Sequence, residues 1–516
     1  MSTDIHDLED RLWEAADELR ANSKLRTHQY SVPVLGLIFL RYADVKFQKA
    51  KDELEEDVDP RRGIDRSDYK ARGVLFIPDE ARYSRLLELP EDENLGREIN
   101  EAMKAIEQDN PELEDVLPKN YHELGNDVLV ELLKNFNSIP MDIEGDAFGK
   151  IYEYFLGRFA DEEGQRAGEF FTPTSIVRLI VDVIEPYHGR IYDPACGSGG
   201  MFVQSARFIE EHQENPDEEI SIYGQEKTAQ TVRLCKMNLA VHGLEGDIKQ
   251  GNSYYNDIHD SHEKFDYVMA NPPFNVDKID KEKLKNDPRF PFGLPNVDNG
   301  NYVWIQMFYS ALNEDGRAGF VMANSAADAR HSEKVIRKKI IKEKTVDIII
   351  SVASNFFYNV SNPCTLWFFD KEKTGTEREN KILFIDARDI YHEVEKAQYE
   401  FRPEQIEFIS NIARLYRHDD PEFLNEGTKE LIKENFDGFN YKDIPGLCAA
   451  ANIADIKGEN WSLNPGRYVG VSEDGSDEEF NFRERVEGLY EKFEELNSQA
   501  NSLKEKISED INDILS

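Results

Sequence analysis

One stretch of the sequence decides the fold: IYDPACGSGG, residues 191–200. A short apolar run there ends in Asp193, and a glycine-rich turn leads into a helix-like segment that begins at Met201. Glycines let the backbone approach a ligand closely, because a Cβ atom would clash. Such a turn after a strand is typical of nucleotide-type sites, in which Asp193 would accept hydrogen bonds from an amino group or a ribose. An ordinary tight strand–helix turn is the alternative.

A second strand supports the nucleotide-type site. Residues 220–225 form an apolar run that ends in Glu226, whose carboxylate would bind the paired ribose hydroxyls of an adenosine. Its distance from Asp193 exceeds the usual spacing of about 20 residues, and the polar insert at 211–219 accounts for the excess. No G-x-x-x-x-G-K followed by Ser or Thr occurs in the chain, which excludes a P-loop motor.

Apolar runs rich in β-branched residues alternate with helix-length segments after Phe171. Near-continuous apolar strands joined by helices predict an α/β fold, with a parallel, doubly wound sheet covered by helices on both faces. The predicted strands are 190–194, 220–226, 247–250, 267–270, 318–323, 346–352 and 365–369.

A four-residue turn, Asn271-Pro272-Pro273-Phe274, follows the fourth predicted strand. The two prolines fix φ twice and remove two amide hydrogens, so the turn is stiff. It can aim the Asn271 carboxamide oxygen and the Pro272 carbonyl at one point, and two converging acceptors suit a planar –NH₂ group. Those contacts would localise the nitrogen lone pair and make a poor amine a nucleophile for a sulfonium methyl. Phe274 offers a flat face on which a flipped base could stack.

Helical patterns dominate the first 150 residues. Apolar residues recur at three- and four-residue steps, which predicts helices over 31–45, 95–107 and 127–136. The charge-rich segment 52–68 contains a proline and a glycine, and it is predicted to be a loop.

The chain is predicted to become helical again near its end, where it carries a heptad-like apolar seam. This spacing indicates either an amphipathic helix packed on its own domain or a coiled coil with another chain. The seam consists of Phe482, Val486, Leu489, Phe493, Leu496, Ala500, Leu503, Ile507, Ile511 and Ile514. The predicted division is a helical N-terminal domain (1–150), an α/β domain (151–400), a helical or irregular extension (401–477) and a C-terminal coiled-coil helix (478–516).

The motifs together resemble one enzyme family. Asp193, its glycine-rich turn, Glu226 and the Asn-Pro-Pro-Phe turn look like those of S-adenosylmethionine-dependent N6-adenine DNA methyltransferases. The helical N-terminal block and the segments 148–171, 301–304, 316–319 and 461–468 are similar to the modification (methyltransferase) subunit of type I restriction–modification systems. The resemblance implies a class I, Rossmann-like methyltransferase fold. It also implies methyl transfer to N6 of a flipped-out adenine in double-stranded DNA.

The same resemblance implies the cofactor, S-adenosyl-L-methionine, and the residues of the site. The catalytic positions fall on Asn271, Pro272, Pro273 and Phe274. The segment 168–173 resembles the motif that lies just upstream of the cofactor loop in the gamma arrangement of these enzymes. The implied cofactor residues are Gly168, Glu169, Phe170, Phe171, Thr172, Pro173, Asp193, Gly197, Ser198, Gly199, Gly200, Glu226 and Asn252. Asn252 departs from the family pattern, since related enzymes often carry an Asp after the third strand.

The chain is strongly acidic, with 62 Lys and Arg against 102 Asp and Glu, a formal net charge of −40 over 516 residues. This charge predicts repulsion from bare DNA, so either the chain does not touch nucleic acid, or a local patch or a partner overcomes the repulsion. Together with the family resemblance, the charge favours delegation of target recognition to a partner. The family resemblance implies that two such subunits join one specificity subunit, whose long helices would pair with the C-terminal seam. A motor-nuclease restriction subunit can add restriction. A halophilic source would also produce the excess of carboxylates.

Other features of the sequence limit the remaining classes of function. The basic run at 334–344 is a local exception to the acidity, and it predicts either a solvated helix face or a DNA contact. His259 and His262 have no further ligands nearby, so we expect no metal site. Four scattered cysteines, no signal peptide and no apolar stretch long enough for a bilayer predict a soluble cytoplasmic protein without membrane contact.

Two alternatives stay open on the sequence alone. A protein-glutamine N5-methyltransferase uses a similar Asn-Pro-Pro turn, because a side-chain amide is also a planar –NH₂ group. Those enzymes favour Tyr where this chain has Phe274. A non-catalytic scaffold of a DNA-modification complex is the other alternative, and no motif supports it positively.

Overall fold

The computed structural model describes residues 13, 27–57, 62–90, 93–138, 149, 151–159, 172–296, 298–357, 363–395, 398–425 and 427–471. The chain forms two units, Met1–Val469 and Gly470–Ser516. The predicted coiled-coil seam at 478–516 lies outside the described residues, as do Gly168, Glu169, Phe170 and Phe171.

The N-terminal part of the first unit is a helical block with its own apolar core. The helices predicted over 95–107 and 127–136 are confirmed, with one or two more residues at their ends. The helices of the block are α1 (Thr27–Asp57), α2 (Arg66–Lys70), α3 (Tyr83–Leu87), α4 (Leu95–Asp109), α5 (Asn126–Asn137) and α6 (151–159).

The first helix is longer than the predicted 31–45, and the loop prediction for 52–68 is wrong in two places. Helix α1 continues to Asp57, because Phe47, Ala50 and Leu54 extend its buried face at three- and four-residue steps. The second error lies at α2, where the Asp65 side chain caps the first turn by accepting from Ser67 N. In α1 the burial of apolar side chains outweighs a charge-rich surface, and in α2 the cap and the buried Tyr69 do so.

The middle of the chain forms a nine-stranded sheet. Its strands are β1 (Gly189–Asp193), β2 (Ile220–Glu226), β3 (Gly246–Gln250), β4 (Phe265–Ala270), β5 (Leu312–Ala323), β6 (Val346–Val352), β7 (Cys364–Asp370), β8 (Lys381–Ala387) and β11 (Cys448–Asn452). Strands β9 (His392–Glu395) and β10 (Gln398–Glu400) form a separate ribbon. The order in the large sheet is β11-β8-β6-β7-β5-β4-β1-β2-β3. All seven predicted strands are confirmed, but β5 begins six residues before its predicted start, and β8 to β11 were missed.

The expectation of a wholly parallel sheet is wrong. Strand β7 runs antiparallel to both β5 and β6, and β11 runs antiparallel to β8. Only a short connection separates the end of β6 at Val352 from the start of β7 at Cys364. A parallel pair needs a longer crossover, which is usually a helix, so this connection imposes the antiparallel pairing.

Helices cover both faces of the sheet, which confirms the doubly wound architecture. One face carries α7 (Thr174–Ile184), α8 (Gly200–Glu211) and α13 (Pro403–Arg417), and the other carries α11 (Asn301–Ala311) and α12 (His331–Lys342). The remaining helices are α9 (Pro216–Glu219), α10 (Ala229–Val241), α14 (Thr428–Asn435) and α15 (Ile453–Gly458). No helix within the described ranges has the length and apolar character that a bilayer crossing demands.

The parallel pairing of β2, β1, β4 and β5 has a direct consequence for the site. Parallel neighbours end at one edge of the sheet, and ligands of open α/β sheets bind beyond that edge. Below it is called the carboxyl edge. The glycine-rich turn after β1, Glu226 at the end of β2 and the turn after β4 therefore lie along this edge together.

Candidate active site

The glycine-rich turn after β1 needs its glycines for both conformation and space. Gly197 has φ +52° and Gly199 has φ +85°, a left-handed conformation that other residues rarely adopt. A Cβ atom on Gly199 would lie 2.8 Å from Cys235 Sγ. Asn238 Nδ2 donates to Ser198 O at 2.9 Å, which ties the turn to α10. The backbone of the turn is thus held in one shape while parts of it stay exposed.

Two carboxylates lie at the ends of adjacent strands, as the sequence predicted. Asp193 is almost fully buried, and its Oδ1 accepts from Ala195 N at 2.8 Å. Burial raises the pKa of Asp193 well above its ordinary value, and the charge of Glu226 adds to the rise. Glu226 is half-buried and accepts from Thr228 N at 3.1 Å. Among the described residues no cation pairs with Asp193, and a buried carboxyl group in this place suits a cationic or hydrogen-donating ligand.

The turn after β3 packs beneath the glycine-rich turn. Gly251 N donates to Glu226 O at 2.8 Å, and Ser253 Oγ donates to Pro194 O at 2.5 Å. The Asn252 Oδ1 atom accepts from Tyr254 N at 3.1 Å, so its oxygen already stabilises the local turn. The structure brings Asn252 to the same edge as Glu226, and its contact with a ligand stays a prediction.

The Asn-Pro-Pro-Phe turn leaves β4 directly at the carboxyl edge. Asn271 Nδ2 donates to Thr172 Oγ1 at 2.8 Å, a contact between residues 99 positions apart. The Asn271 Oδ1 atom is buried and accepts no hydrogen bond from the described residues. Pro272 is buried, Pro273 is exposed, and the half-buried Phe274 packs against the core. A buried acceptor without a donor is costly, and at a functional site it marks the place of a ligand group.

The upstream motif reaches the same turn. Thr172 is half-buried, and Pro173 is the buried N-terminal cap residue of α7. Helix α7 contributes seven buried apolar residues to the core, so it gives Thr172 a rigid base. The structure thus brings the end of the predicted motif at 168–173 against Asn271.

Three asparagines that the sequence reasoning missed hold the far end of the turn. Asn275, directly after Phe274, has φ +54°. Its backbone N–H donates to Asn301 Oδ1 at 2.8 Å, and Asn301 Nδ2 donates back to Asn275 Oδ1 at 3.0 Å. Asn299 Nδ2 donates to the same oxygen. The Asn-Gly-Asn run at 299–301, just before α11, was the available signal, because asparagine favours helix starts and left-handed turns.

The basic run on α12 is largely engaged within the chain. Arg337 is buried and donates to the carbonyls of Trp461 and Ala329, at 2.7 and 2.8 Å. The Lys338 ammonium lies 5.2 Å from the centroid of the Trp461 ring, and Lys339 Nζ donates to Phe292 O. This helix is therefore bound to its neighbours through several of its cations, and the prediction of a solvated face holds only in part.

His259 has a structural environment. Its Nε2 lies 2.9 Å from Gly224 O, and burial lowers its pKa. Within the described ranges, no group of three or more His, Cys, Asp or Glu side chains is arranged to hold a metal ion.

Two family models cover most of the chain. Residues 8–136 match the HsdM N-terminal domain, and residues 143–477 match the family described as N-6 DNA Methylase. The chain belongs to the N-6 DNA methylase family.

Relatives of the methylase are subunits of type I restriction enzymes. It is 38% identical to the type I restriction enzyme MjaIX methylase subunit of Methanocaldococcus jannaschii, over 97% of this chain and 90% of the relative. It is 34% identical to the HindI methylase subunit of Haemophilus influenzae, over 80% of this chain and 91% of the relative. A crystal structure of the type I restriction-modification system methyltransferase subunit from Streptococcus thermophilus shares its fold. That structure has a TM-score of 0.71 and 22% identity, covering 91% of this chain and all of the other.

The methylase is therefore an N6-adenine DNA methyltransferase of the type I restriction–modification class. This membership decides against the protein-glutamine alternative. It also decides against a non-catalytic scaffold, because the matching family and the relatives are methylases.

Proposed function

We propose that the methylase transfers a methyl group from S-adenosyl-L-methionine to N6 of an adenine flipped out of double-stranded DNA. One observation carries the assignment of the site: Asn271 Oδ1 is buried at the carboxyl edge and has no hydrogen-bond partner among the described residues. An open acceptor in this place suits the –NH₂ group of a base, which has hydrogens to donate.

The residues around the glycine-rich turn fit S-adenosyl-L-methionine. Gly197, Ser198 and Gly200 are partly exposed, so their backbone can line a ligand. The buried Asp193 suits a cationic amino group, and the half-buried Glu226 suits paired ribose hydroxyls. When bound, the cofactor supplies an electrophilic methyl group. The remaining proposed contacts, by family resemblance, are Gly168, Glu169, Phe170, Phe171, Thr172, Pro173, Gly199 and Asn252.

Asn271 and Pro272 would prepare the nucleophile. Each of their carbonyl oxygens accepts one hydrogen of the adenine amino group, which draws the nitrogen toward tetrahedral geometry and localises its lone pair. The prolines keep this arrangement rigid before the base arrives, so little reorganisation is needed during the reaction. Pro273 is exposed and has no N–H to donate, so its proposed part is to stiffen the turn.

Phe274 would support the flipped base. Its ring is half-buried, so one part is anchored in the core while the rest remains available at the carboxyl edge. An aromatic face can stack on any base, and base flipping depends on such a replacement for the lost stacking.

Target recognition would come from a partner. A net charge of −40 makes the chain a poor DNA binder by itself. We propose that two copies join one specificity subunit through the seam at 478–516, and that a motor-nuclease restriction subunit can join them. We propose the cytoplasm as the location, because the DNA substrate and the cofactor are found there.

The decisive experiment measures methyl transfer from labelled S-adenosylmethionine to DNA, with the methylase alone and with its candidate specificity subunit. We expect N6-methyladenine only in the mixture. Full activity of the methylase alone would contradict the delegated recognition, and methylation of another base or of protein glutamine would contradict the proposed reaction.

The partner assignment has a separate test. Removal of the chain from Phe482 onward should weaken assembly with the specificity subunit far more than cofactor binding. Assembly is measured by co-elution on size exclusion and cofactor affinity by calorimetry. A truncated chain that assembles at full affinity would contradict the coiled-coil assignment.

A further inference from the structure

We propose that the Thr172 hydroxyl is a positioning group that fixes the plane of the Asn271 carboxamide, and with it the direction in which the carboxamide oxygen faces the substrate. The inference rests on the proposed function, because it concerns the same catalytic turn. It starts from the hydrogen bond in which Asn271 Nδ2 donates to Thr172 Oγ1 at 2.8 Å. This is the one side-chain hydrogen bond that Asn271 makes to the described residues.

The two ends of a carboxamide have nearly the same shape and opposite hydrogen-bonding character. The oxygen accepts, and the nitrogen only donates. With the oxygen toward the base, Asn271 can accept a hydrogen of the adenine amino group. With the amide rotated by half a turn, two N–H groups would face another donor, and the contact would be lost. A hydroxyl partner can bond to either end, so its part is to hold the plane of the amide, and the hydrogens of the adenine amino group then favour the orientation with the oxygen toward the base.

Thr172 is built to be that partner. It is followed by Pro173, whose ring fixes φ, and then by α7, most of whose residues are buried in the core. Its hydroxyl accepts from Asn271 Nδ2 while Oδ1 stays open. The bond also joins the upstream motif to the catalytic turn across 99 residues of chain. A side chain on a rigid helix start can hold an orientation that a mobile loop could not.

The turn itself does not depend on this hydroxyl. The reciprocal bonds between Asn275 and Asn301 hold its far end, and the two prolines stiffen its middle. Loss of the hydroxyl should therefore release the rotation of the Asn271 amide and leave the backbone of the turn in place. Thr172 is also a proposed cofactor contact, so the effect on the Asn271 amide is the part of the loss in kcat that persists at saturating cofactor.

The test compares Thr172→Val, Thr172→Ala and Thr172→Ser in the complex with the specificity subunit. We expect Thr172→Val and Thr172→Ala to lower kcat by about 10²-fold, the size of effect that follows misplacement of a reacting group. The rates are measured at saturating S-adenosylmethionine, whose Kd is determined by calorimetry for each variant, and the KM for DNA should stay within about threefold. Thr172→Ser keeps the hydroxyl and should retain most of the activity.

Thr365→Val is the matched control, because Thr365 Oγ1 also accepts from a side-chain N–H, that of Trp367, at 2.9 Å inside the core. It removes a hydroxyl of the same kind away from the proposed site. We expect it to lower the melting temperature, because the Trp367 N–H loses its acceptor, and to leave kcat within about twofold.

The outcomes separate the two proposals. A rise in the cofactor Kd with unchanged kcat at saturating cofactor would make Thr172 a cofactor contact only and overturn the inference. Full activity of both Thr172→Val and Thr172→Ala, or inactivity of folded Thr172→Ser, would also overturn it. An active Asn271→Ala variant would instead overturn the proposed function, whatever Thr172 does.

Discussion

The two edges of the central sheet differ in whether a buried carboxylate has cationic partners. At the edge opposite the carboxyl edge, Asp347 is fully buried and accepts from Arg378 Nη1 at 2.8 Å and from Arg417 Nε at 3.2 Å. Lys373 Nζ lies 3.6 Å from the same carboxylate and also donates to Val346 O at 2.6 Å. Asp193 at the carboxyl edge is equally buried, yet among the described residues no cation forms an ion pair with it.

The difference appears in the direction of the pKa shifts. Burial acts to raise the pKa of Asp347, but Lys373, Arg417 and Arg378 outweigh it, and the pKa is lowered. Burial dominates at Asp193, and its pKa is raised. A paired buried charge stabilises the fold only if its partners stay in place. An unpaired one costs stability and is held ready for a ligand.

The largest effect is expected at Asn271, whose Oδ1 atom has no hydrogen-bond partner among the described residues. Asn271→Ala removes the open oxygen, and we expect methyl transfer to fall by at least about 10²-fold, as for the loss of one group that stabilises a transition state. Cofactor affinity, measured by calorimetry, should be largely intact. Loss of cofactor binding in the folded variant would contradict the role assigned to Asn271.

At the opposite edge the same kind of change should act on stability. Asp347→Asn leaves Lys373, Arg378 and Arg417 buried around a neutral group, and we expect the free energy of unfolding to fall by about 3–5 kcal/mol. Chemical denaturation measures this change. Glu372→Gln is the control, because its pair with Arg317 is half exposed and such pairs contribute at most about 1 kcal/mol. Equal losses in the two variants would refute the contrast between buried and exposed pairs.

Asp193→Asn should act with the opposite sign. It removes an unfavourable buried charge, so we expect the free energy of unfolding of the cofactor-free methylase to rise by about 1 kcal/mol at neutral pH. Gains of this size are usual when a destabilising functional group is replaced. The thermal shift caused by S-adenosylmethionine should shrink, because the proposed partner of its amino group is lost. A destabilised variant with unchanged cofactor response would mean that Asp193 is only a structural residue.

The smallest expected effect is on the pH dependence of the free energy of unfolding, and its sign differs between the two edges. The pKa of Asp193 is raised by folding above its ordinary 3.8, so its contribution to stability is lost as pH rises through the raised value. The pKa of Asp347 is lowered below 3.8, so its contribution is present above that value and is lost in acid. We therefore expect the plot of the free energy of unfolding against pH to become flatter above pH 4 in Asp193→Asn and below pH 4 in Asp347→Asn. Unchanged slopes in either variant would contradict the assigned shift.

Local sequence patterns predicted much of the fold and of the candidate site. The runs that became β1, β2 and β4 could be read from the sequence, because a buried parallel strand must be apolar along its length. Asp193, Glu226 and Asn271 follow those runs directly, so their meeting at one edge was predictable. Strand β11 was missed, because CAAAN is short and weakly apolar and becomes a strand only by pairing with β8.

Contacts between distant segments could not be read in this way. Asn301 and Thr172 flank the catalytic turn from opposite directions along the chain, and although each lies in a recognisable local motif, neither motif shows that its residue contacts that turn. The same holds for Arg337, which looked like part of a basic surface but is buried against Trp461 and Ala329. Its carbonyl partners exist only after the chain has folded.

The sequence by itself determined which segments become strands, which residues follow their ends and which chemistry those residues can perform. Hydrophobic periodicity and the conformational limits of glycine and proline are local properties, so they act before any tertiary contact forms. The tertiary structure alone decided which polar groups find partners. Among the described residues Asp347 meets three cations and the Asn271 oxygen meets no donor, because burial and pairing depend on backbones that are far apart in the chain.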